Sequence, residues 1–131
     1  MISAPNEASV RAFFDAFVEA FRSFDGSIIA QRYLSPYLAF HGRGSAQVFH
    51  SHAETASYFQ RVVDDYHEKG CRSCRYIDLQ VASLGKECAI ATLTWELLAA
   101  DQSVVTAWRE SYNLCFVEGH LKVFTSTDHA A

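Results

Sequence analysis

The sequence has little of what is typical of disordered, membrane-spanning or nucleic-acid-binding chains. Only two of its 131 residues are proline and six are glycine, while half are hydrophobic, which argues against disorder. No apolar run approaches the roughly 18 residues that a membrane-spanning helix needs. The fifteen acidic residues outnumber the eleven basic ones, giving a net charge of -4, and no predicted element carries a cluster of Lys and Arg. We therefore expect neither a membrane nor a nucleic acid among the binding partners.

Several functional signals are also absent from the sequence. Residues 1–6 hold no basic region followed by an apolar one, so we find no secretion signal and expect a cytoplasmic protein whose four cysteines stay reduced. There is no phosphate loop, dinucleotide fingerprint or nucleophile elbow, and we expect no cofactor. The length suits one domain with one core, which we assign to residues 1–131.

Two long helices are predicted from apolar side chains that recur at i, i+3, i+4 and i+7, the spacing of one buried helix face. The first covers residues 6–24 with Asn6 as its N-cap. The other starts at a capping box formed by Ser51 and Glu54 and ends near Lys69. The buried stripe of the first helix comprises Val10, Phe13, Phe14, Phe17, Val18 and Phe21.

Between these helices we predict a short helix and a pair of short strands. The short helix covers residues 28–34 and is ended by Pro36, because the residue before a proline avoids the helical conformation. The strands cover residues 37–41 and 46–50 and flank a glycine-rich turn.

From Arg75 onwards the apolar period changes to two, which indicates β-strands. Ile77, Leu79 and Val81 alternate with polar residues in the first strand, and turns separate the later strands over residues 87–99, 104–117 and 120–126. The longest of them exceed the usual length and should curl. Helices first and strands last predict an α+β fold, with three N-terminal helices packed on a curled antiparallel sheet to make a cone with an apolar interior.

This order of elements resembles the nuclear-transport-factor-2-like superfamily, which includes SnoaL-like polyketide cyclases, ketosteroid isomerase and scytalone dehydratase. The resemblance covers nearly the whole chain and rests on residues 10–17, 37–45, 58–59 and 112–123. It implies a cone-shaped, cystatin-like α+β barrel and an aromatic-lined pocket for a small apolar or aromatic organic molecule. It also implies a homodimer formed through the outer faces of two sheets.

The resemblance to ketosteroid isomerase implies roles for individual residues. His41 takes the place of that enzyme's aspartate base, and Tyr112 takes the place of an acid that donates a hydrogen bond to the oxyanion. Tyr58 and Phe59 match aromatic pocket residues on the third helix, whereas Phe13 replaces a tyrosine that also donates to the oxyanion. We therefore do not expect a true ketosteroid isomerase.

The strand pattern adds Glu110, which shares its strand face with Trp108 and Tyr112, so burial among aromatic rings would raise its pKa. An imidazole can accept a proton near pH 7, and a phenol can stabilise an oxyanion. We take His41, Glu110 and Tyr112 as candidate catalytic residues for proton transfer on a carbonyl compound, such as isomerisation, dehydration or aldol cyclisation. The predicted ligand-binding wall comprises Phe13, Phe17, Tyr58, Phe59, Leu93, Trp95, Trp108 and Leu114.

Alternatives remain open for each of these side chains. Glu110 could pair with Arg109 or Arg43 on a solvated face, with His41 as a structural residue at a strand end. The protein would then be a non-catalytic ligand-binding or dimerisation module. The predicted dimer surface is the opposite strand face, with Arg109, Ser111, Asn113, Cys115, Ile90 and Thr92.

The remaining cysteines and histidines do not form a complete metal-binding pattern. Cys71 and Cys74 form a lone CxxC that lacks the second half of a zinc signature, so we interpret them as an incidental pair of thiols. His50 and His52 flank the predicted N-cap, where the chain bends between them. We expect no metal, and we assign Cys88 and Cys115 to the core.

Overall fold

Three helices come early in the chain, and four of the six strands follow them. The computed structural model describes residues 4–130. We predicted that residues 1–6 hold no secretion signal, and the first three of them lie outside the described residues. The helices are α1 (Glu7–Arg22), α2 (Gly26–Ala30) and α3 (His52–Glu68). The strands are β1 (Tyr33–Phe40), β2 (Ala46–Phe49), β3 (Ser73–Leu84), β4 (Cys88–Leu98), β5 (Val104–Val117) and β6 (His120–Asp128).

The strands form one curled, unclosed sheet in the order β2-β1-β6-β5-β4-β3. The antiparallel meander from β3 to β6 is confirmed. The pairing of β1 with β6 is parallel, so the prediction of a purely antiparallel sheet is wrong at this one place. It is the pairing that joins the N-terminal strands to the meander. The α+β class with three helices on a curled sheet is confirmed.

Helix α1 begins where the sequence predicts it. The Asn6 side chain accepts a hydrogen bond from the Ser9 amide, and the Ser9 hydroxyl accepts one from the Asn6 amide, each at 2.9 Å. This reciprocal cap satisfies two amides that the helix itself leaves without partners. The helix buries Val10, Phe13, Phe14, Phe17, Ala20 and Phe21 against the sheet.

The predicted helix over residues 28–34 is wrong in its boundaries. Asp25 accepts hydrogen bonds from the amides of Ser27 and Ile28, which starts α2 earlier, and the helix ends at Ala30. Tyr33 already belongs to β1, where it pairs with β6. Pro36 lies inside β1, in a stretch that pairs with neither neighbouring strand, so its missing N–H costs the sheet no hydrogen bond.

A bulge in β3 overturns the predicted alternation of that strand. Asp78 has a φ of +55°, and the register against β4 shifts between Ile77 and Gln80. The extra residue reverses which side chains face the core. Cys74 and Tyr76 therefore point inwards before the bulge, and Ile77, which the predicted alternation places on one face with Leu79 and Val81, is 40% exposed.

The long strands β4 and β5 carry the inner wall of the cone. In β4 every second side chain is buried, as predicted: Ala89, Ala91, Leu93, Trp95 and Leu97. In β5 the predicted inner face is also confirmed, with Glu110, Tyr112 and Leu114 buried and Trp108 and Phe116 half-buried. Among residues 4–130, no helix is long and apolar enough to cross a membrane. The cytoplasmic location stays a prediction.

Candidate functional site

A cavity of about 250 Å³ lies between the inner face of the sheet, α1, α2 and α3. Its wall is mostly aromatic: Phe17, Phe21, Tyr33, Tyr37, Tyr58, Phe59, Tyr66, Trp95, Trp108 and Tyr112. Polar groups border the same space: His41, Glu110, Ser126, Asp128 and His129. An apolar cavity with a few convergent polar groups is the usual form of a small-molecule site.

Among the acidic and basic side chains that border the cavity, Glu110 is the most deeply buried, with an exposure of 8%. The indole N–H of Trp108 donates a 2.8 Å hydrogen bond to its Oε1, and Asp128 lies directly opposite on β6. Burial, followed by the neighbouring charge of Asp128, raises the pKa of Glu110 to about 8. At pH 7 its carboxyl group is therefore mostly protonated and can donate a hydrogen bond.

Tyr112 is the next inward-facing residue of β5 and is also buried. The indole N–H of Trp95 donates a 2.7 Å hydrogen bond to its hydroxyl oxygen. Burial, followed by the charge of Glu110, raises the pKa of Tyr112 well above its ordinary value. The phenol keeps its proton, and its O–H forms a hydrogen bond with Glu110 that lowers the pKa of that carboxyl.

His41 stands at the rim of the cavity, immediately after β1. Its Nδ1 lies 3.8 Å from the carboxylate of Asp128, and its side chain is 27% exposed. Its Nε2 lies 2.8 Å from the side-chain oxygen of Gln47 on β2. The imidazole is thus held between a carboxylate and an amide, with access to both solvent and cavity.

The structure brings all three candidate catalytic residues to one cavity, but it divides the predicted wall. Five predicted wall residues border the cavity: Phe17, Tyr58, Phe59, Trp95 and Trp108. Phe13, Leu93 and Leu114 are buried in the core behind it instead. The Phe13 ring packs against Phe14 at a centroid distance of 5.0 Å, so it contacts another ring of α1 rather than the cavity space.

The alternative interpretation of Glu110 as a partner of Arg109 or Arg43 does not fit the geometry. Arg109 points to the other face of the sheet, where it donates to the Asp78 carbonyl and the Thr94 hydroxyl. Arg43 is exposed in the turn after β1. Within residues 4–130, neither arginine forms an ion pair with Glu110.

Sequence reasoning missed Asp128, because the predicted last strand stops at Ser126. The strand continues to Asp128, and a register shift against β5 occurs beside Asn113 and Leu114. That shift puts Asp128, rather than Thr127, opposite Glu110. The sequence does hold a signal for Asp128, because the alternation of the strand continues past Ser126. Ser126 and Asp128 lie on one face, with Thr127 between them on the other. The same reasoning missed Tyr33, Tyr37 and Tyr66, which complete the aromatic wall.

The cysteines fall into two pairs. Cys71 and Cys74 are buried free thiols, and burial raises the pKa of Cys74 to about 12, so it stays protonated. Cys88 and Cys115 face each other across β4 and β5 and are half-buried on the outer face, so their assignment to the core is wrong. Cys115 lies on the same face of β5 as Arg109, which points away from the core, so its side chain is on the outer face of the sheet.

The two histidines of the HxH sequence lie on either side of the α3 cap. The His50 amide donates to Glu54, and the His52 ring lies 3.5 Å from the Ser27 hydroxyl. In the part of the chain that the structure describes, no group of three or more His, Cys, Asp or Glu residues could hold a metal ion.

Solved structures match nearly the whole chain. Aln2 from a Streptomyces species is 10% identical, the match covers 96% of this chain and 93% of that one, and the TM-score is 0.76. A domain with a cystatin-like fold from Nostoc punctiforme is 14% identical, with 97% and 80% covered and a TM-score of 0.73. An NTF-2-like protein from Shewanella oneidensis is 11% identical, with 92% and 96% covered and a TM-score of 0.72. These identities show a shared fold. Among curated proteins, none matches this chain.

The fold and these structural neighbours define an α+β protein with a cystatin-like fold. Residues 6–131 match the family described as NTF2-like protein (DUF6841), and the chain belongs to this family. The predicted resemblance to the nuclear-transport-factor-2-like superfamily is thereby confirmed.

Proposed function

We propose that the protein binds a small organic carbonyl compound in the cavity and catalyses the transfer of a proton from the carbon next to the carbonyl group. The observation that carries this proposal is the geometry of β5, which places Glu110 and Tyr112 side by side on its inner face at the cavity. Burial raises the pKa of both side chains, which favours the protonated forms that can donate a hydrogen bond. An oxygen that becomes negative in this aromatic space could accept a hydrogen bond from either group, in place of the bonds that they form with each other and with Asp128.

Each of the two tryptophans donates a hydrogen bond to one of these groups. Trp108 donates to one oxygen of Glu110, which leaves the other carboxyl oxygen to carry the proton. Trp95 donates to the Tyr112 oxygen, which polarises the remaining O–H. Since aromatic walls exclude water, a hydrogen bond from either group to an enolate oxygen gains strength relative to the same bond in water.

His41 is the proposed base. The tautomer that donates from Nε2 to Gln47 leaves Nδ1 free to accept a proton from the carbon next to the carbonyl. Asp128, 3.8 Å from Nδ1, would stabilise the imidazolium that forms. The proton then returns to a second carbon or leaves with a hydroxyl group, which corresponds to isomerisation or dehydration.

Exchange of ketone α-hydrogens for deuterium in D2O, followed by NMR with cyclohexanone as the probe, tests this proposal. We expect His41→Ala to lower the exchange rate by about 10²–10⁴-fold while leaving stability nearly unchanged. His120→Ala is the matched control, because His120 is exposed at the start of β6, away from the cavity. Equal rates in the two variants would leave a non-catalytic ligand-binding protein as the better account.

A homodimer through the outer face of the sheet is a second proposal. Ile90, Thr92, Ser111, Asn113 and Cys115 are all half-buried on outward-facing positions of β4 and β5. A second sheet packed there would cover them without blocking the cavity on the inner face. Light scattering at micromolar concentration should give twice the mass of one chain, and a clean monomer would contradict the proposal.

A further inference from the structure

We propose that the cavity selects a ligand carrying a compact organic cation, an alkylammonium group, seated between the carboxyl pair Glu110–Asp128 and the aromatic rings beside it. The inference rests on the proposed function, since it names a charged group that the same cavity would take beside the carbonyl group. A cation at the carboxyl pair leaves Glu110 ionised, so the hydrogen bond to the carbonyl oxygen would then come from Tyr112. The experiment below distinguishes a failure of the inference from a failure of the proposed function by comparing charged and neutral probe molecules.

The carboxyl pair is the first argument. Glu110 and Asp128 are direct partners across β5 and β6, and both border the cavity. Acidic residues directly opposite each other destabilise a sheet when both are charged. No Lys or Arg lies among the described residues that border the cavity, so no side chain of fixed positive charge balances the pair. A shared proton, or the positive charge of a ligand, would relieve this repulsion.

The rings beside the pair are the second argument. The indole N–H of Trp108 donates to Glu110, so this ring lies against the carboxyl group. Tyr66 packs next to Trp108 at a centroid distance of 6.1 Å. Tyr58 borders the cavity together with both carboxyl groups, and burial, followed by the charges of Asp128 and Glu110, raises its pKa to about 12. The faces of tryptophan and tyrosine attract cations, and such cages recognise quaternary ammonium groups.

The size of the cavity fits this class of ligand. An engineered apolar cavity of about 150 Å³ holds a benzene molecule. The space of about 250 Å³ found here is larger and has room for a trimethylammonium group with a short tail. A carboxylate or phosphate ligand would instead meet two acidic groups without a fixed positive charge to offset them.

Binding of a cation should release the proton that the pair shares. Several titratable or polar groups border the cavity together with Glu110. They are Asp128 and His129 from β6 and its end, Trp108 and Tyr112 from β5, Tyr33, Tyr37 and His41 from β1 and its end, and Tyr58 and Tyr66 from α3. With the pKa of Glu110 at about 8, its ionised fraction rises from about one tenth at pH 7 to about nine tenths at pH 9. Affinity for a cation should therefore increase by about tenfold over this window, which lies above the usual range of imidazoles.

Calorimetry with choline and 3,3-dimethylbutan-1-ol tests the inference, because the alcohol has the same shape with carbon in place of the charged nitrogen. At pH 8 we expect choline to bind at least about tenfold more tightly than the alcohol. Asp128→Asn should remove this preference. Glu118→Gln should retain it, because that variant loses the same charge from an exposed turn. Glu110→Gln should abolish the increase in affinity between pH 7 and pH 9.

The other outcomes contradict either the inference alone or the inference together with the proposed function. Equal binding of choline and the alcohol would overturn the inference and leave the proposed function standing. Tighter binding of acetate than of choline would do the same. If neither these probes nor cyclohexanone binds, the proposed function falls as well. Should Asp128→Asn fail to fold, the pH dependence of choline binding to the wild-type protein decides, and a constant affinity between pH 7 and pH 9 overturns the inference.

Discussion

Replacing Glu110 with glutamine should change how the stability of the protein depends on pH. The native carboxyl group keeps its proton up to a pH of about 8, whereas an unfolded glutamate releases it near the ordinary pKa of 4.5. Between these values the native state binds more protons than the unfolded state, so the free energy of unfolding falls as pH rises. At about 1.4 kcal/mol per pH unit, the wild-type protein loses about 5 kcal/mol from this one group in total, of which about 4 kcal/mol falls between pH 5 and pH 9.

Glutamine cannot titrate, so the variant should lack this loss. It keeps an acceptor for the Trp108 indole and a donor toward Asp128. The two proteins should therefore have similar free energies of unfolding at pH 5, and Glu110→Gln should be more stable by about 4 kcal/mol at pH 9. The assay is urea denaturation monitored by circular dichroism at each pH from 5 to 9, with the difference between the two proteins as the readout.

Glu118→Gln is the matched control, because Glu118 is exposed in the turn between β5 and β6. Its difference from wild type should be constant with pH. If the difference for Glu110→Gln is also constant to within about 0.5 kcal/mol, Glu110 is not held protonated, and the assignment of a neutral donor to this position is refuted.

Two further predictions concern the same site and its support. Trp108→Phe removes the N–H that favours the ionised carboxylate, so the pKa of Glu110 should rise above about 8 in a carbon-13 NMR titration, and a lower value would contradict this role of Trp108. Gly26→Ala would press a Cβ against the Ala56 carbonyl and bring it to 2.6 Å from the Gln60 amide nitrogen, so it should destabilise the protein by more than about 2 kcal/mol in urea. A smaller cost for Gly26→Ala would contradict the close packing of α2 on α3.

Local periodicity predicts the elements whose side chains follow one repeat throughout. Helix α1 and strands β4 and β5 are of this kind, because an unbroken period of 3.6 or 2 determines which side chains face the core. Glu110 and Tyr112 were found for that reason, since they occupy the inner parity of a regular strand.

The features that the sequence did not predict depend on pairing between distant segments. The bulge at Asp78 and the register shift beside Leu114 are set by neighbouring strands, and each changes which side chains face inwards. Asp128 reaches Glu110 through the second of these shifts. The parallel pairing of β1 with β6 joins residues about ninety positions apart, for which the alternation of one strand gives no signal.

The central claim is that a small organic molecule enters the cavity and meets Glu110 and Tyr112, and the two tryptophans of the chain report on it directly. The indole N–H of Trp108 is bonded to Glu110 and that of Trp95 to Tyr112. Titration of nitrogen-15-labelled protein with cyclohexanone, and separately with choline, should shift both indole signals together along one saturable curve. If both signals stay fixed under both titrations, the cavity does not bind these molecules and the claim is contradicted.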